Sequence, residues 1–276
     1  MKRRFVQVDV FGETPYRGNP LAVVIDAEGL TTTDMQKFAK WTNLSETTFL
    51  LPPTHTCADY KVRIFTPTNE LPFAGHPTLG SSHAWLANGG MPKSEDFVVQ
   101  ECGVGLVTVR RDGNLLSFAA PPLLRSGAVD EALIYEASMS LGITRDSIID
   151  AAWIDNGPGW LGILLASAEE VLAIQPTAMK LTLGVVGAHS PQSKFAYEVR
   201  AFYSSNGITF EDPVTGSLNA SLAQWLIGLG RFSAPYLVSQ GTAIGYAGVV
   251  HVEADASHDI WIGGDVVTCI AGDVEL

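Results

Sequence analysis

Cysteine is scarce in this 276-residue sequence: Cys57, Cys102 and Cys269 stand far apart, with no CxxC pair and no zinc-ligand series. An odd, scattered set of thiols excludes a disulfide-stapled scaffold. Positive charge is also sparse, since 17 Lys and Arg against 29 Asp and Glu leave a formal charge of -12. Such a balance argues against a general nucleic-acid or anionic-membrane surface. It still permits a small acidic substrate, because backbone dipoles and a few buried donors can oppose the global field locally. No unbroken apolar run has membrane-spanning length. The basic start "MKRR" leads into the alternating "FVQVDVF", where a signal peptide would have a continuous apolar core. The expectation is a cytoplasmic protein with neither nucleic acid nor membrane as partner.

Motifs for bound nucleotides and metals are missing as well. There is no GxGxxG loop, Walker motif or HExxH pair. "GVGL" and "GLGR" are lone glycine turns, His189 in "GAHSP" is a single histidine, and no nucleophile elbow accompanies Ser81 and His83. No cofactor and no metal are expected.

What the chain does have is apolar bulk. Its composition is 46% hydrophobic, with six Trp, seven Tyr and twelve Phe, enough for one large core or two ordinary ones, and its length favours two domains. "FVQVDVF" and "LAVVI" read as strands around the turn-rich "GETPYRGNP", a first hairpin. In "TTTDMQKFAKWTNL" the period changes: Met35, Phe38, Ala39 and Thr42 recur at helical spacing, Thr33 with Gln36 fits a capping box, and the helix is expected to end near Asn43. Glu46 in "NLSETTFL" then falls where helix gives way to strand.

Further on, "YKVRIFTP" alternates like a strand, and a helix is expected from Pro77 toward Leu86 with His76 as its cap. "FVVQECGVGLVTVRRDGNLLSFAAP" reads as two strands around the turn "RDGN". The passage into a second half falls near residues 118 to 128, before the helical pattern of "VDEALIYEASMSLG". Beyond it, "AAWIDNGPGWLGILLAS", "LTLGVVG" and "FAYEVRAFY" read as strands, with "AEEVLAIQP" a short helix. Short β runs between glycine-rich turns point to an α+β architecture rather than a helical bundle.

Two pieces nearly half a chain apart echo one another. "HPTLGSSHA" (76–84) and "DPVTGSLNA" (212–220) share Pro, Gly, Ser and Ala, four of nine positions, when aligned without a gap. Each sets a polar residue before proline. Equivalent helix starts in two related domains would explain this, and so would chance similarity of helix caps. Two such starts would offer free backbone N–H groups to an anion such as a substrate carboxylate.

With these pieces in place the chain resembles the PhzF-like family, which includes the phenazine biosynthesis isomerase. The stretches that carry the resemblance are "VDVFGETPYRGNPLAVV", "NLSETTFL", "FTPTNELPFAGHPTLGSSHAWL", "FEDPVTGSLNASLAQWL" and "SQGTAIGYAGVVHV". The resemblance implies a diaminopimelate-epimerase-like α+β fold of two similar domains, each with a curved β-sheet wrapped around a central helix, and a reaction cleft between them. Residues 1–120 would form the first domain and 121–276 the second, with the final segment able to return to the first. It also implies a cofactor-independent enzyme and a homodimer. By the family's pattern Glu46 is the acid/base, with His76 and Asp212 beside it as catalytic residues and Ser45, Gly75 and Ser217 on the substrate. One departure stands out: Tyr246 occupies a position where the family commonly has arginine, which puts the standard substrate in doubt.

The chemistry suits those residue types. Allylic isomerisation needs a base to take a proton from one carbon and an acid to return it at another, and one carboxylate can do both. Read without the family, Glu46 serves the surface or a cap, His76 is a capping or packed polar residue, Asp212 is the N-cap before Pro213 and Ser217 an ordinary helical serine. His76 and Asp212 stand where the wider fold group uses two cysteines for opposed proton transfer, which argues against two-thiol racemisation. The expected function is an isomerase for a small carboxylated, unsaturated or cyclic metabolite. A lyase or epimerase using the same base, or a metabolite-binding scaffold without turnover, are the alternatives.

Overall fold

The computed structural model describes residues 1–205 and 207–276. The chain divides into two compact units, Met1–Ala119 with Gly263–Leu276, and Ala120–Ile262. In order, the first contains β1 (Lys2–Val10), β2 (Asn19–Val24), α1 (Thr32–Thr42), β3 (Thr47–Leu51), β4 (Tyr60–Phe65), β5 (Glu70–Leu71), α2 (Gly75–Ala87), β6 (Phe97–Cys102), β7 (Gly105–Asp112) and β8 (Leu115–Ala119). The second contains β9 (Arg125–Ala128), α3 (Glu131–Leu141), β10 (Asp150–Asp155), β11 (Trp160–Leu164), α4 (Ala168–Ala173), β12 (Thr182–Ala188), β13 (Phe195–Ser205), β14 (Ile208–Asp212), α5 (Gly216–Gly228), β15 (Tyr236–Gln240) and β16 (Gly248–Ala254). After β17 (Ile260–Gly264), the strand β18 (Val266–Glu275) returns to the first unit and pairs antiparallel with β1.

Both units follow one plan. In the first, β1–β2 is antiparallel, β2–β3 parallel, β3–β4 and β4–β5 antiparallel, β4–β6 parallel and β6–β7 antiparallel. In the second, β10–β11, β11–β12, β12–β13, β13–β14, β13–β15 and β15–β16 repeat that series in the same order. Helices fall at matching points: α1 and α4 make the first parallel crossover, α2 and α5 the second. The architecture is α+β, two similar curved sheets each holding a helix.

α2 shows how composition makes that possible. The helix touches β1, β2, β3, β4, β6, β7, β8 and β18, and every residue from Gly75 to Ser82 is buried. A helix segment enclosed on all sides has no room for a polar face, and residues 75–82 of α2 carry Gly, Ser and Thr in its place. At Gly80 a Cβ would stand 2.5 Å from Leu21 Cδ2, so the missing side chain sets how closely helix and sheet approach. α1, by contrast, is amphipathic: Met35, Phe38 and Ala39 pack on Val24, Phe49 and Phe65. It stops at Asn43, whose φ of 56° is the left-handed conformation that ends helices.

Several expectations from the sequence are corrected. The capping box of α1 is Thr31 with Asp34 rather than Thr33 with Gln36. α2 begins at Gly75, two residues before Pro77, with Ala74 at the cap and His76 inside the first turn. Proline is tolerated there because the first four helical N–H groups have no intrahelical acceptor. Asp212 is not an N-cap: it ends β14, opposite Ala201, and Thr215 precedes α5. The stretch from Phe97 to Ala119 makes three strands, because Cys102 pairs with Gly105 across the two-residue turn of Gly103 and Val104, with Gly105 at φ 105° opening β7. The echo is real but its register is not the ungapped one. Counted from the helix start, Gly75-His76 of α2 and Gly216-Ser217 of α5 hold the same places, whereas Asp212 lies ahead of its helix and His76 within its own.

The loop after β1 illustrates how tightly the first unit is drawn. The buried Asp9 carboxylate accepts from the amides of Arg17 (2.7 Å) and Gly18 (2.9 Å), and a Cβ on Gly18 would fall 2.1 Å from the Val10 carbonyl oxygen. Because that obstacle is backbone, Gly18→Ala should lower stability by about 2–3 kcal/mol, as overpacking does. Urea unfolding followed by tryptophan fluorescence measures it.

Candidate active site

In the first unit the chemistry gathers at the start of α2. Glu46 lies in the short connection from α1 to β3, and two hydroxyl contacts fix that connection. Thr42 Oγ1, in the last turn of α1, is 2.8 Å from Thr47 Oγ1, the first residue of β3, which closes the turn around Ser45 and Glu46. One residue on, Thr48 Oγ1 accepts from Ser81 Oγ of α2 at 2.9 Å, locking strand to helix with two fully buried side chains. Glu46 is therefore held on a rigid edge against α2.

His76, the second residue of α2, meets it there. His76 Nε2 and Glu46 Oε2 are 3.3 Å apart, with side chains 7% and 16% exposed. The two atoms lie within ion-pair reach but outside hydrogen-bond alignment. Burial lowers the imidazole pKa from 6.5 to about 3, and its place in the first turn, at the positive end of the helix, acts in the same direction. The carboxylate beside it favours the charged ring, yet burial outweighs that attraction. A neutral imidazole has one N–H donor and one acceptor nitrogen, so beside an acidic side chain it can give or take a hydrogen bond without carrying a charge. Gly75 opens the helix; no side chain caps α2, and Pro77 has no N–H to offer. Ser45 sits half-buried just before Glu46.

The remaining two predicted residues belong to the second unit. At the end of β14, Asp212 Oδ2 accepts from Thr215 Oγ1 at 2.5 Å. Ser217 is the second residue of α5, the position His76 holds in α2. Its Oγ accepts from Trp160 Nε1 at 3.1 Å, which leaves its hydroxyl proton to be given elsewhere. The Ser217 carbonyl accepts from Asn156 Nδ2 at 2.9 Å. The repeat is thus unequal in its polar groups: at the point ahead of β12 that matches Glu46 stands Leu181.

Tyr246 follows the short helical turn after β15, half-buried, with its amide donating to Gly241 O at 3.0 Å. Among the described residues no group of three or more His, Cys, Asp or Glu is placed to hold a metal ion, and no helix is long and apolar enough to cross a membrane. Reading the sequence missed the residues that position the others: Thr42, Thr47, Thr48 and Ser81 around Glu46, and Thr215 beside Asp212. The only available signal was the run of hydroxyl residues flanking "SETT" and "VTGS".

The PhzC-PhzF family model, phenazine biosynthesis-like protein, matches residues 8–272. The chain belongs to the PhzC-PhzF family. Antisense-enhancing sequence 1 of Schizosaccharomyces pombe is a 37% identical relative of this PhzC-PhzF protein, over 97% of each chain. The trans-2,3-dihydro-3-hydroxyanthranilate isomerase of Pseudomonas chlororaphis is 31% identical over 99% of each. In fold it is similar to a Bacillus anthracis phenazine biosynthesis protein of the PhzF family, with a TM-score of 0.84 and full coverage of both chains at 22% identity. Isomerases recur among relatives of this PhzC-PhzF chain, including one from Pasteurella multocida at 34% identity.

The neutral ring has a measurable consequence. Below pH 6.5 the unfolded chain protonates this histidine while the folded PhzC-PhzF protein does not until about pH 3. The unfolded state then binds more protons, so stability falls as pH drops through that window. Between pH 7 and pH 5 the loss from His76 should be about 2 kcal/mol, and His76→Asn should remove that part of the slope. Urea midpoints at the two pH values measure it.

Proposed function

We propose that the protein is an isomerase that moves a carbon-bound proton within a small unsaturated or cyclic carboxylate, with Glu46 as the acid/base. The observation that carries this reading is the 3.3 Å approach of Glu46 and His76 on buried, rigid elements at the start of a helix without a side-chain cap. A carboxylate in such a place can take a proton from one carbon and return it to another. The neighbouring imidazole stays neutral and can donate to or accept from the shifting charge. Amide groups at the helix start favour a negative group on the substrate. Support for the substrate class comes from the 31% identical relative named for a dihydro-hydroxyanthranilate, a small cyclic carboxylate.

Gly75 and Ser45 are proposed to line the same substrate. For the second unit, Asp212 and Ser217 are proposed to take part by orienting the substrate, Asp212 also assisting proton transfer. A non-catalytic, metabolite-binding role is the second reading; it draws on Tyr246 and on the 37% identical relative whose name carries no enzymatic activity.

The test is turnover of trans-2,3-dihydro-3-hydroxyanthranilate and related carboxylates in deuterated water, with products resolved by mass. Isomerisation keeps the elemental composition apart from solvent deuterium, whereas a lyase releases a fragment. Glu46→Gln should cut turnover and deuterium uptake by about 10²–10⁴-fold while native circular dichroism is kept. Unchanged turnover in that variant refutes the assignment, and binding without turnover across the panel favours the scaffold. Asp212→Asn and Ser217→Ala should each lower turnover as well, which checks the contribution of the second unit.

A further inference from the structure

The second unit contains a fully buried amide whose hydrogen bonds tie Thr215 and Asn219 to the end of β14. Gln240, the last residue of β15, is 0% exposed. Its Oε1 accepts from Thr215 N at 3.0 Å and from Asn219 Nδ2 at 2.8 Å. Its Nε2 donates to Asp212 O at 3.1 Å and to Thr215 Oγ1 at 2.9 Å. Chemistry dictates this orientation of the amide, since a backbone N–H can only donate and a backbone C=O can only accept. With Nε2 already donating to the Thr215 oxygen, the hydroxyl proton has to point the other way. Asp212 Oδ2 receives it, at 2.5 Å.

We infer that Gln240 is a positioning residue for the reaction: by fixing the direction of the Thr215 hydroxyl it holds Asp212 by one oxygen in its acceptor form. The inference rests on the proposed role of Asp212. The same device occurs in the first unit, which supports it independently. Gln100 of β6 is likewise 0% exposed; it accepts from Tyr60 Oη at 2.8 Å and donates to Thr78 Oγ1 at 3.1 Å. Thr78 Oγ1 in turn donates to Ala74 O at 2.9 Å, at the start of α2. In each unit a buried glutamine on the strand after the central helix donates to a threonine hydroxyl near that helix's start, Thr78 in the first turn of α2 and Thr215 just before α5. Only in the second does that hydroxyl end on a carboxylate.

The experiment needs no substrate. The carboxyl carbon of Asp212 is followed by ¹³C NMR against pH in the wild type, Thr215→Val, Thr215→Ser and Gln240→Met. Loss of one hydrogen bond to a charged group should move the Asp212 transition up by about one pH unit in Thr215→Val and Gln240→Met, while Thr215→Ser stays with the wild type. A folded Gln240→Met protein whose transition does not move overturns the inference. Should Gln240→Met not fold, the wild-type Thr215 hydroxyl proton decides the matter: coupling to the Asp212 carboxyl carbon supports the inference, and its absence overturns it. With an active substrate, Thr215→Val should lower kcat at least tenfold with KM little changed. If the transition moves but kcat does not, the positioning is real and the role assigned to Asp212 is wrong.

Discussion

Enclosure of a helix by a sheet is the constraint from which the rest of this structure follows. A helix whose first two turns are ringed by strands has no solvent face there, so its surface must be small and its polar residues must bond to the sheet. Ser81 does so through Thr48, Ser82 through Tyr60 at 3.0 Å and Thr78 through Gln100. Only at the N-terminus do backbone donors lack intrahelical partners. The enclosing fold thus produces, once in each unit, a rigid site of positive potential flanked by strand ends. Glu46 and His76 lie at that point in one unit, and Asp212 and Ser217 in the other.

The second unit copies the first in topology but not in chemistry. Gly75 and Gly216 open equivalent helices, while His76 is matched by Ser217 and Glu46 by Leu181. A duplicated fold thereby carries an unsymmetrical set of polar groups, as the proposed transfer of a proton between unlike carbons would require.

Much of this was legible in the sequence. α1 was readable because it is amphipathic, and the first hairpin because its strands alternate around a turn of Gly and Pro. The place of Glu46 could be read from the end of the helical period at Asn43. Local patterns failed where tertiary contacts decide. α2 lacks an apolar stripe because its first half is buried on every face, so its start was placed at proline and His76 fell outside the helix. Asp212 before Pro213 looked like a cap, but β14 extends to pair it with Ala201. The register of the echo was drawn to Pro and Gly identities, while the helices start at different places within the two motifs, Gly75 ahead of His76 and Gly216 after Asp212. Gln240 carried no signal of its own, since a lone glutamine at a strand end gains meaning only from the groups folded around it.

The pairing of β1 with β18 has a consequence for biosynthesis. The second unit is one continuous stretch of chain and can complete its sheet as soon as it has emerged. Its counterpart begins first yet finishes last, because one side of β1 stays unpaired until β18 arrives. Through that interval the nascent protein displays an open strand edge, able to bond with any other extended chain nearby. Since the unit bearing Glu46 and His76 is the one left waiting, those two side chains settle into a finished sheet only once β18 has emerged.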